Sequence, residues 1–450
     1  MSKVVKLRKG FDIKLQGEAE KVFAKYEQPT TYAIKPADFN GILPKLLVEV
    51  DDKVKVGSPL FYHKDNEKML FTSPVSGVVK AINRGDKRIV EGIVIEADKE
   101  MSYESFKTDG FIDFSREQVI EVLLKSGLWG FIKERPFDKI ANPEITPKSI
   151  FVSAFDTSPL AADFDFIVHG NKEVFQAGLD VLGKLTTGAV NLNVNGREKP
   201  SEVFTNAKNV IVNSVQGPHP AGNVGIQIHH IDPINKGQYV WTLNPQAVIS
   251  IGRLFTTGKF NSEIIVALTG SEVKHRKYHK TNIGACIDKM VKGNLKSEHV
   301  RYISGNVLTG SKISENGYLG FNDSQVTVIP EGDFPEFFGW LKPGFDRPSN
   351  SRALLSSLPI GKSFEANTNE HGELRAFVVT GEYEKVLPMD IYPVHLLKAI
   401  LYEDIEEIEG LGIYEVAVED LALCEFVCSS KFPVTQTLKK GLELIERECF

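Results

Sequence analysis

Residues 149–213 alternate strand, helix and strand, and that order limits the chain more than any other feature. S-I-F-V-S-A-F reads as a strand. It leads through D-T-S-P-L into a helix around Asn171–Leu185, and A-V-N-L-N-V and N-V-I-V-N follow as strands. Val174, Ala177, Val181, Leu182 and Leu185 recur at helical spacing. Strands joined through helices predict a Rossmann-like α/β sheet, in which ligands favour the crevice at the carboxyl ends of the strands. Upstream, S-R-E-Q-V-I-E-V-L-L-K-S-G carries its own punctuation. Ser115 and Gln118 can form a capping box, and Gly127 can close the helix.

The first hundred residues follow a different period. Between residues 41 and 96, valines alternate around Asp51-Asp52 and Gly57, and S-G and R-G-D turns break the remaining apolar runs. Such alternation predicts short strands in hairpins, in the order of a lipoyl or biotinyl carrier β-sandwich. Lys68 is misplaced for a modified carrier lysine, because Pro74 follows it by six positions where carriers have about two more. The β-sandwich is therefore expected to act as scaffold.

At 450 residues the chain is long enough for about three domains. A net charge of −6 argues against nucleic acid as the main partner. Four cysteines without framework spacing suit a reducing compartment. The basic N-terminus lacks the apolar stretch of a signal peptide, and no run is long enough for a direct membrane span.

Several motifs resemble sites without completing them. D-L-A-L-C-E-F-V-C-S-S-K-F-P ends like an iron–sulfur ligand run, but only Cys424 and Cys428 remain, in a C-x₃-C before Pro433. A cubane cluster needs four thiolates, so the pair reads as a remnant and no metal site is expected. No G-x-G-x-x-G occurs, and Gly361-Lys362-Ser363 lacks the first P-loop glycine, since Ser356 stands there. The loop Q-G-P-H-P-A-G-N-V-G combines two prolines with Gly217, Gly222 and Gly225, which suits close approach of a ligand or another chain. His219 at its centre is the candidate functional histidine. His229 and His230 sit on a strand-like stretch and would face opposite ways. His275 and His279 have helical i, i+4 spacing, but the four cations around them point to a solvated basic loop. Nine acidic residues and no Lys or Arg lie between Glu403 and Glu425, which reads as a solvated face.

The chain resembles the A subunits of bacterial sodium-translocating NADH:quinone oxidoreductases. The stretches that carry the likeness include F-T-S-P-V-S-G-V-V-K-A-I-N-R-G-D-K-R, A-F-D-T-S-P-L-A-A, G-P-H-P-A-G, V-I-S-I-G-R-L-F-T-T-G, V-L-P-M-D-I-Y-P and D-L-A-L-C-E-F-V-C. That family is similar in turn to the flavin-bearing subunit of respiratory complex I. Where those relatives have a glycine-rich flavin loop, this chain has L-W-G-F-I-K-E-R-P-F-D-K, with bulky Phe131, Arg135 and Phe137.

The resemblance implies four units: a lipoyl-like β-sandwich at 1–100, a Rossmann-like α/β domain at 101–258, a β-grasp domain at 259–332 and a helical C-terminal domain at 333–450. It implies a peripheral subunit on the cytoplasmic face of the inner membrane, within a six-subunit complex that oxidises NADH, reduces quinone and exports sodium. Cofactors are expected on partner subunits (flavins and an iron–sulfur centre) and none on this chain. The foremost partner would be the integral membrane subunit that handles quinone and flavin. No residue of this chain is expected to be catalytic by itself. The candidates for a quinone headgroup site are Phe131 and Phe155 as ring walls, Arg135 and His219 as donors, and Asp156 as orienting group or proton relay. The alternative is a cofactor-free scaffold capping the membrane subunits.

Overall fold

The computed structural model describes residues 2–334, 336–345, 347–350, 354–358 and 363–449. Gly361 and Lys362, the P-loop-like pair, lie outside the described residues.

The region with helix-separated strands forms a seven-stranded sheet. Its order is Val4–Lys6, Ile211–Gln216, Val190–Asn195, Ser149–Ser153, Val240–Leu243, Lys133–Arg135 and Lys139–Ile140. The first five strands run parallel, and the last two form an antiparallel edge. From Ser149–Ser153 the chain builds outward on one side through two strands, then returns to place Val240–Leu243 on the other side. The direction of winding reverses between these two neighbours. A crevice opens at the carboxyl ends of strands at such a point, because the loops leaving them diverge.

The expected helix around Asn171–Leu185 spans Lys172–Gly183. It packs on Pro245–Thr257 so closely that a Cβ at Gly178 would meet the Val248 carbonyl oxygen at 2.2 Å. The helix Arg116–Ser126 starts with both halves of its capping box in place. It ends at Gly127, whose φ of 80° is left-handed.

The β-sandwich consists of two small sheets, ordered Thr31–Ile34, Val90–Ala97, Gly77–Arg84, Lys53–Val54 and Pro44–Leu46, Pro59–His63, Asn66–Thr72. Lys68 lies within Asn66–Thr72, away from the hairpin tip. The beginning of the expected 1–100 unit leaves it. Val4–Lys6 extends the parallel sheet, and Glu20–Phe23 pairs with Lys277–Asn282 at one edge of a six-stranded sheet whose other edge is Ser311–Ile313. Edge strands with unpaired N–H and C=O groups recruit extended chain wherever it passes. The N-terminal segment thereby joins three units. The C-terminal helices, including Pro393–Tyr402, Val418–Val427 and Val434–Cys449, enclose their own apolar core. That core takes in Ile13, Phe137 and Ile226 from the preceding units. Among the described residues no helix is long and apolar enough to cross a membrane.

Two assignments differ from the sequence expectation. His229 and His230 lie on a helix, Val224–Ile231, because the isoleucines around them fill a helical buried face. His279 lies on the strand Lys277–Asn282, buried edge-on against Tyr26 at 4.6 Å. Burial pushes its pKa down to about 4, so it is a neutral core histidine rather than part of a solvated loop.

Gly127 and Gly110 provide a controlled comparison. Both have left-handed φ, but a Cβ at Gly127 would meet Thr72 Oγ1 at 2.4 Å, whereas nothing lies within 4 Å at Gly110. Gly127→Ala should cost about 2–3 kcal/mol, and Gly110→Ala about 1 kcal/mol from φ alone. Denaturant titration of the two variants checks this, and equal losses would show that the contact with Thr72 does not matter.

Candidate functional site

The crevice at the reversal point holds a cavity of about 250 Å³. Ser153, Phe155 and Asp156 reach it from the end of one strand, and Leu243 and Asn244 from the end of its neighbour. The loop containing His219 and Asn223 forms a second wall. Gly305, Asn306, Asp323 and Gln325 contribute from the six-stranded sheet, and Glu419 from the C-terminal helices. All five candidates, Phe131, Arg135, Phe155, Asp156 and His219, line it. The volume is just below the range of drug-sized pockets and suits a single-ring headgroup rather than a dinucleotide.

Alternation along Lys133–Arg135 explains Arg135. Lys133 and Arg135 face the cavity, whereas Glu134 points inward and accepts from Trp241 Nε1 at 3.3 Å. Arg135 is only 3% exposed, so its charge must be answered locally. Nη2 donates to Glu419 Oε1 at 2.7 Å, Nε lies 3.3 Å from Asp138 Oδ1, and Nη1 lies 3.6 Å from Asp420 Oδ2. Burial opposes the charged guanidinium, but Asp138, Glu419 and Asp420 outweigh it and raise its pKa. Asp138 is pulled the other way. Despite the burial penalty, Arg135 and Lys133 hold its carboxyl below the usual range. Burial raises Asp420 to about 7, with Arg135 only partly offsetting the effect. Nε and Nη1 of Arg135 are buried and make no hydrogen bond.

His219 is the second buried donor. Its backbone N–H donates to Asp12 Oδ1 at 2.7 Å. Thr157 Oγ1 accepts from Gly222 N at 2.9 Å, which leaves its hydroxyl proton for His219 Nδ1 at 3.1 Å. Burial lowers the pKa, against the charges of Asp156 and Asp12, so the ring is neutral with its proton assigned to Nε2. Nε2 is buried and has no hydrogen-bond partner. Asp156 is exposed, and its Oδ1 accepts from Ser158 N at 2.7 Å. The two phenylalanines belong to separate cores. Phe131 packs on Phe321 at 4.5 Å, while Phe155 sits in the cluster of Phe151, Val215 and Ile228.

The glycines of the His219 loop admit parts of this same chain. A Cβ would meet Leu7 Cβ at 2.6 Å from Gly217, Thr157 N at 2.5 Å from Gly222 and Asp420 Oδ2 at 2.2 Å from Gly225.

The acidic C-terminal stretch is not simply a solvated face. Glu415 takes His229 Nδ1 at 2.5 Å, Glu409 takes Lys236 at 2.5 Å, and Glu425 accepts from Thr435. Glu419 and Asp420 close on Arg135, and charge patterning on one helix had no means of revealing a partner some 280 residues away. The absence of Lys and Arg from that stretch was the available signal, because such acids must find cations elsewhere. Lys133 and Asp138, also missed, stand within three residues of Arg135. The histidine pair serves as two anchors: His229 Nε2 accepts from Asp390 N, and His230 Nε2 donates to the Pro388 carbonyl.

Cys424 is fully buried in the C-terminal core, where desolvation raises its thiol pKa, and Cys428 Sγ accepts from Phe432 N at 3.4 Å. Among the described residues no group of three or more His, Cys, Asp or Glu is placed to hold a metal.

The fold and this cavity define a multi-domain α/β protein with two buried donors facing a ring-sized crevice. The chain matches the NqrA N-terminal barrel-sandwich hybrid domain over residues 5–98, the NqrA second alpha/beta domain over 114–260 and the NQRA C-terminal domain over 265–315. Curated relatives, each named as the A subunit of Na(+)-translocating NADH-quinone reductase, align along nearly its whole length. Those of Hahella chejuensis and Neisseria meningitidis serogroup B are both 40% identical, over 448 and 451 residues. That of Pseudomonas aeruginosa is 38% identical over 448 residues, and each alignment covers 99% of this chain and 100% of the relative. The chain belongs to the family of A subunits of Na(+)-translocating NADH-quinone reductases.

Removing Arg135 strands three carboxylates. Arg135→Ala should destabilise the protein by about 3–5 kcal/mol. The loss should be larger at about pH 8 than at about pH 5, because without the guanidinium burial raises the pKa of Asp138 and Asp420, and carboxyls that are protonated at the lower pH are stranded at less cost. Urea unfolding at both pH values tests this, and a pH-independent loss would show that the carboxylates do not depend on the guanidinium.

Proposed function

We propose that this chain acts as the A subunit of a complex that oxidises NADH, reduces a quinone and exports sodium, and that its crevice receives the quinone headgroup. Family membership supports the complex-level part of this reading. The observation that carries the headgroup site is the pair of buried donors, Arg135 and His219, each with an unsatisfied N–H at one cavity. Leaving buried donors unmade costs about 1–3 kcal/mol each, a cost that a ligand with two acceptor oxygens removes. A quinone offers two carbonyl oxygens across a flat ring. Arg135 would donate to one and neutral His219 to the other. Phe131 and Phe155 would bound the ring on different sides, and exposed Asp156 stands where a proton enters from solvent.

We read the parallel sheet as Rossmann-like and the six-stranded sheet as β-grasp-like. In this reading the chain is a peripheral subunit on the cytoplasmic face, docked on an integral membrane partner that handles quinone and flavin. It carries no flavin or cluster, and the electrons arrive from flavins and an iron–sulfur centre on partner subunits. Supporting this, Phe131 and Phe137 fill the strip where relatives with a flavin loop need bare backbone, and Cys424 and Cys428 serve as core residues.

Titration with a short-tail quinone, read by tryptophan fluorescence, tests the site. Trp129 packs at 5.3 Å on Trp241, next to the cavity residue Thr242. Quenching should saturate, and His219→Ala should weaken binding by about five-fold, the loss of one hydrogen bond of about 1 kcal/mol. A flat response in both the isolated chain and the assembled complex would favour the scaffold.

A further inference from the structure

Asp420 is a buried carboxyl that the headgroup reading leaves unused, and its surroundings are unusually constrained. Oδ2 accepts from Ala417 N at 2.9 Å within the first turn of Val418–Val427, which fixes the side chain in place. The same oxygen lies against the first turn of Val224–Ile231, where only Gly225 leaves room for it. Asn223 Nδ2 donates to the Glu419 carbonyl at 2.9 Å and ties the two turns together. Oδ1 is buried and makes no hydrogen bond. Nη1 of Arg135, at 3.6 Å, is close enough to feel the charge of Asp420 and too far to bond to it.

The charges around it are few. Arg135 and Asp138 face Asp420 from the sheet edge, with Lys133 behind Asp138. Glu419 and Cys424 belong to its own helix, and the facing turn at Asn223–Gly225 is uncharged. With Asp420 neutral, two cations (Lys133 and Arg135) balance two carboxylates (Asp138 and Glu419). With Asp420 ionised, a third carboxylate competes for the one guanidinium, and the pocket wall gains a net negative charge.

We propose that Asp420 is a positioning residue whose protonated form frees Arg135 Nη1 for a carbonyl-bearing ligand and whose ionised form draws it back. The inference rests on the quinone reading of the cavity. Ionisation of Asp420 strengthens its pull on Nη1 and turns the wall against an electron-rich reduced ring. Ligand affinity therefore falls as the pH rises through neutrality.

The experiment measures short-tail quinone affinity of the full chain from about pH 5.5 to pH 8.5 for wild type and Asp420→Asn, the neutral isostere. The wild type should lose about five-fold in affinity across that range, one hydrogen bond's share. Asp420→Asn should be flat at the low-pH value. Ligand-free thermal unfolding supplies a second readout. A carboxyl whose folded pKa lies above its unfolded value binds the proton more tightly when folded, so its contribution is lost as pH rises toward about 7. Asp420→Asn should therefore gain on wild type between about pH 5 and pH 8. Saturable wild-type binding without a pH step, or a step unchanged in Asp420→Asn, overturns this inference alone. No saturable binding by the wild type overturns the quinone reading along with it.

Discussion

The buried guanidinium of Arg135 is the interaction on which the rest of the site depends. Lifting that charge out of water is costly, and the protein compensates with carboxylates from two distant parts of the chain. Asp138 comes from the sheet edge beside it, while Glu419 and Asp420 come from the C-terminal helices. Neutralising this one cation thus ties the C-terminal helices to the sheet edge, beside the His229–Glu415 pair and the packing of Phe137 and Ile226 into their core. Phe137 and Asp138 adopt left-handed φ of 79° and 49° at this point. Such backbone is sustained only where packing and charge over-determine it. Here Phe137 is locked into the C-terminal core and Asp138 between two cations.

A second set of constraints organises the opposite wall. Buried amides run from the sheet interior to the loop of His219. Asn213 donates to Asn191 and Asn193, Asn193 to Gln227, and Gln227 to Ser153 and the Gly222 carbonyl. A fully satisfied polar chain of this kind is rigid, since each broken bond would leave a buried group unpaired. The rigidity matters because the loop holds His219 Nε2 unsatisfied at the cavity. Unpartnered buried polar atoms occur elsewhere in the described residues, at His279, Thr281 and Tyr383 among others, but Arg135 and His219 hold theirs at the lining of one cavity.

Local grammar was legible from the start. The capping box of Ser115 and Gln118, the left-handed stop at Gly127 and the strand–helix–strand run from Ser149 all depend on neighbours a few residues away. The candidate set Phe131, Arg135, Phe155, Asp156 and His219 comes from the crevice rule together with the flavin-loop position that the family resemblance supplied, and all five line the cavity. The misreadings share a cause. His229 and His230 looked like strand residues because I-Q-I-H-H-I has an apolar residue at every second position early on, yet the same isoleucines also fill a helical face. His279 looked solvated because four cations surround it in sequence, yet its ring is buried edge-on against Tyr26.

The sequence by itself determined the capped helix Arg116–Ser126 and the strand–helix–strand run from Ser149, because periodicity and turn chemistry act over a few residues. Tertiary structure alone decided what Arg135 touches, why Gly225 has no side chain and which acids in the C-terminal stretch are buried. Those outcomes depend on desolvation. The cost of an unpaired buried charge is settled only when segments hundreds of residues apart exclude water from the same place.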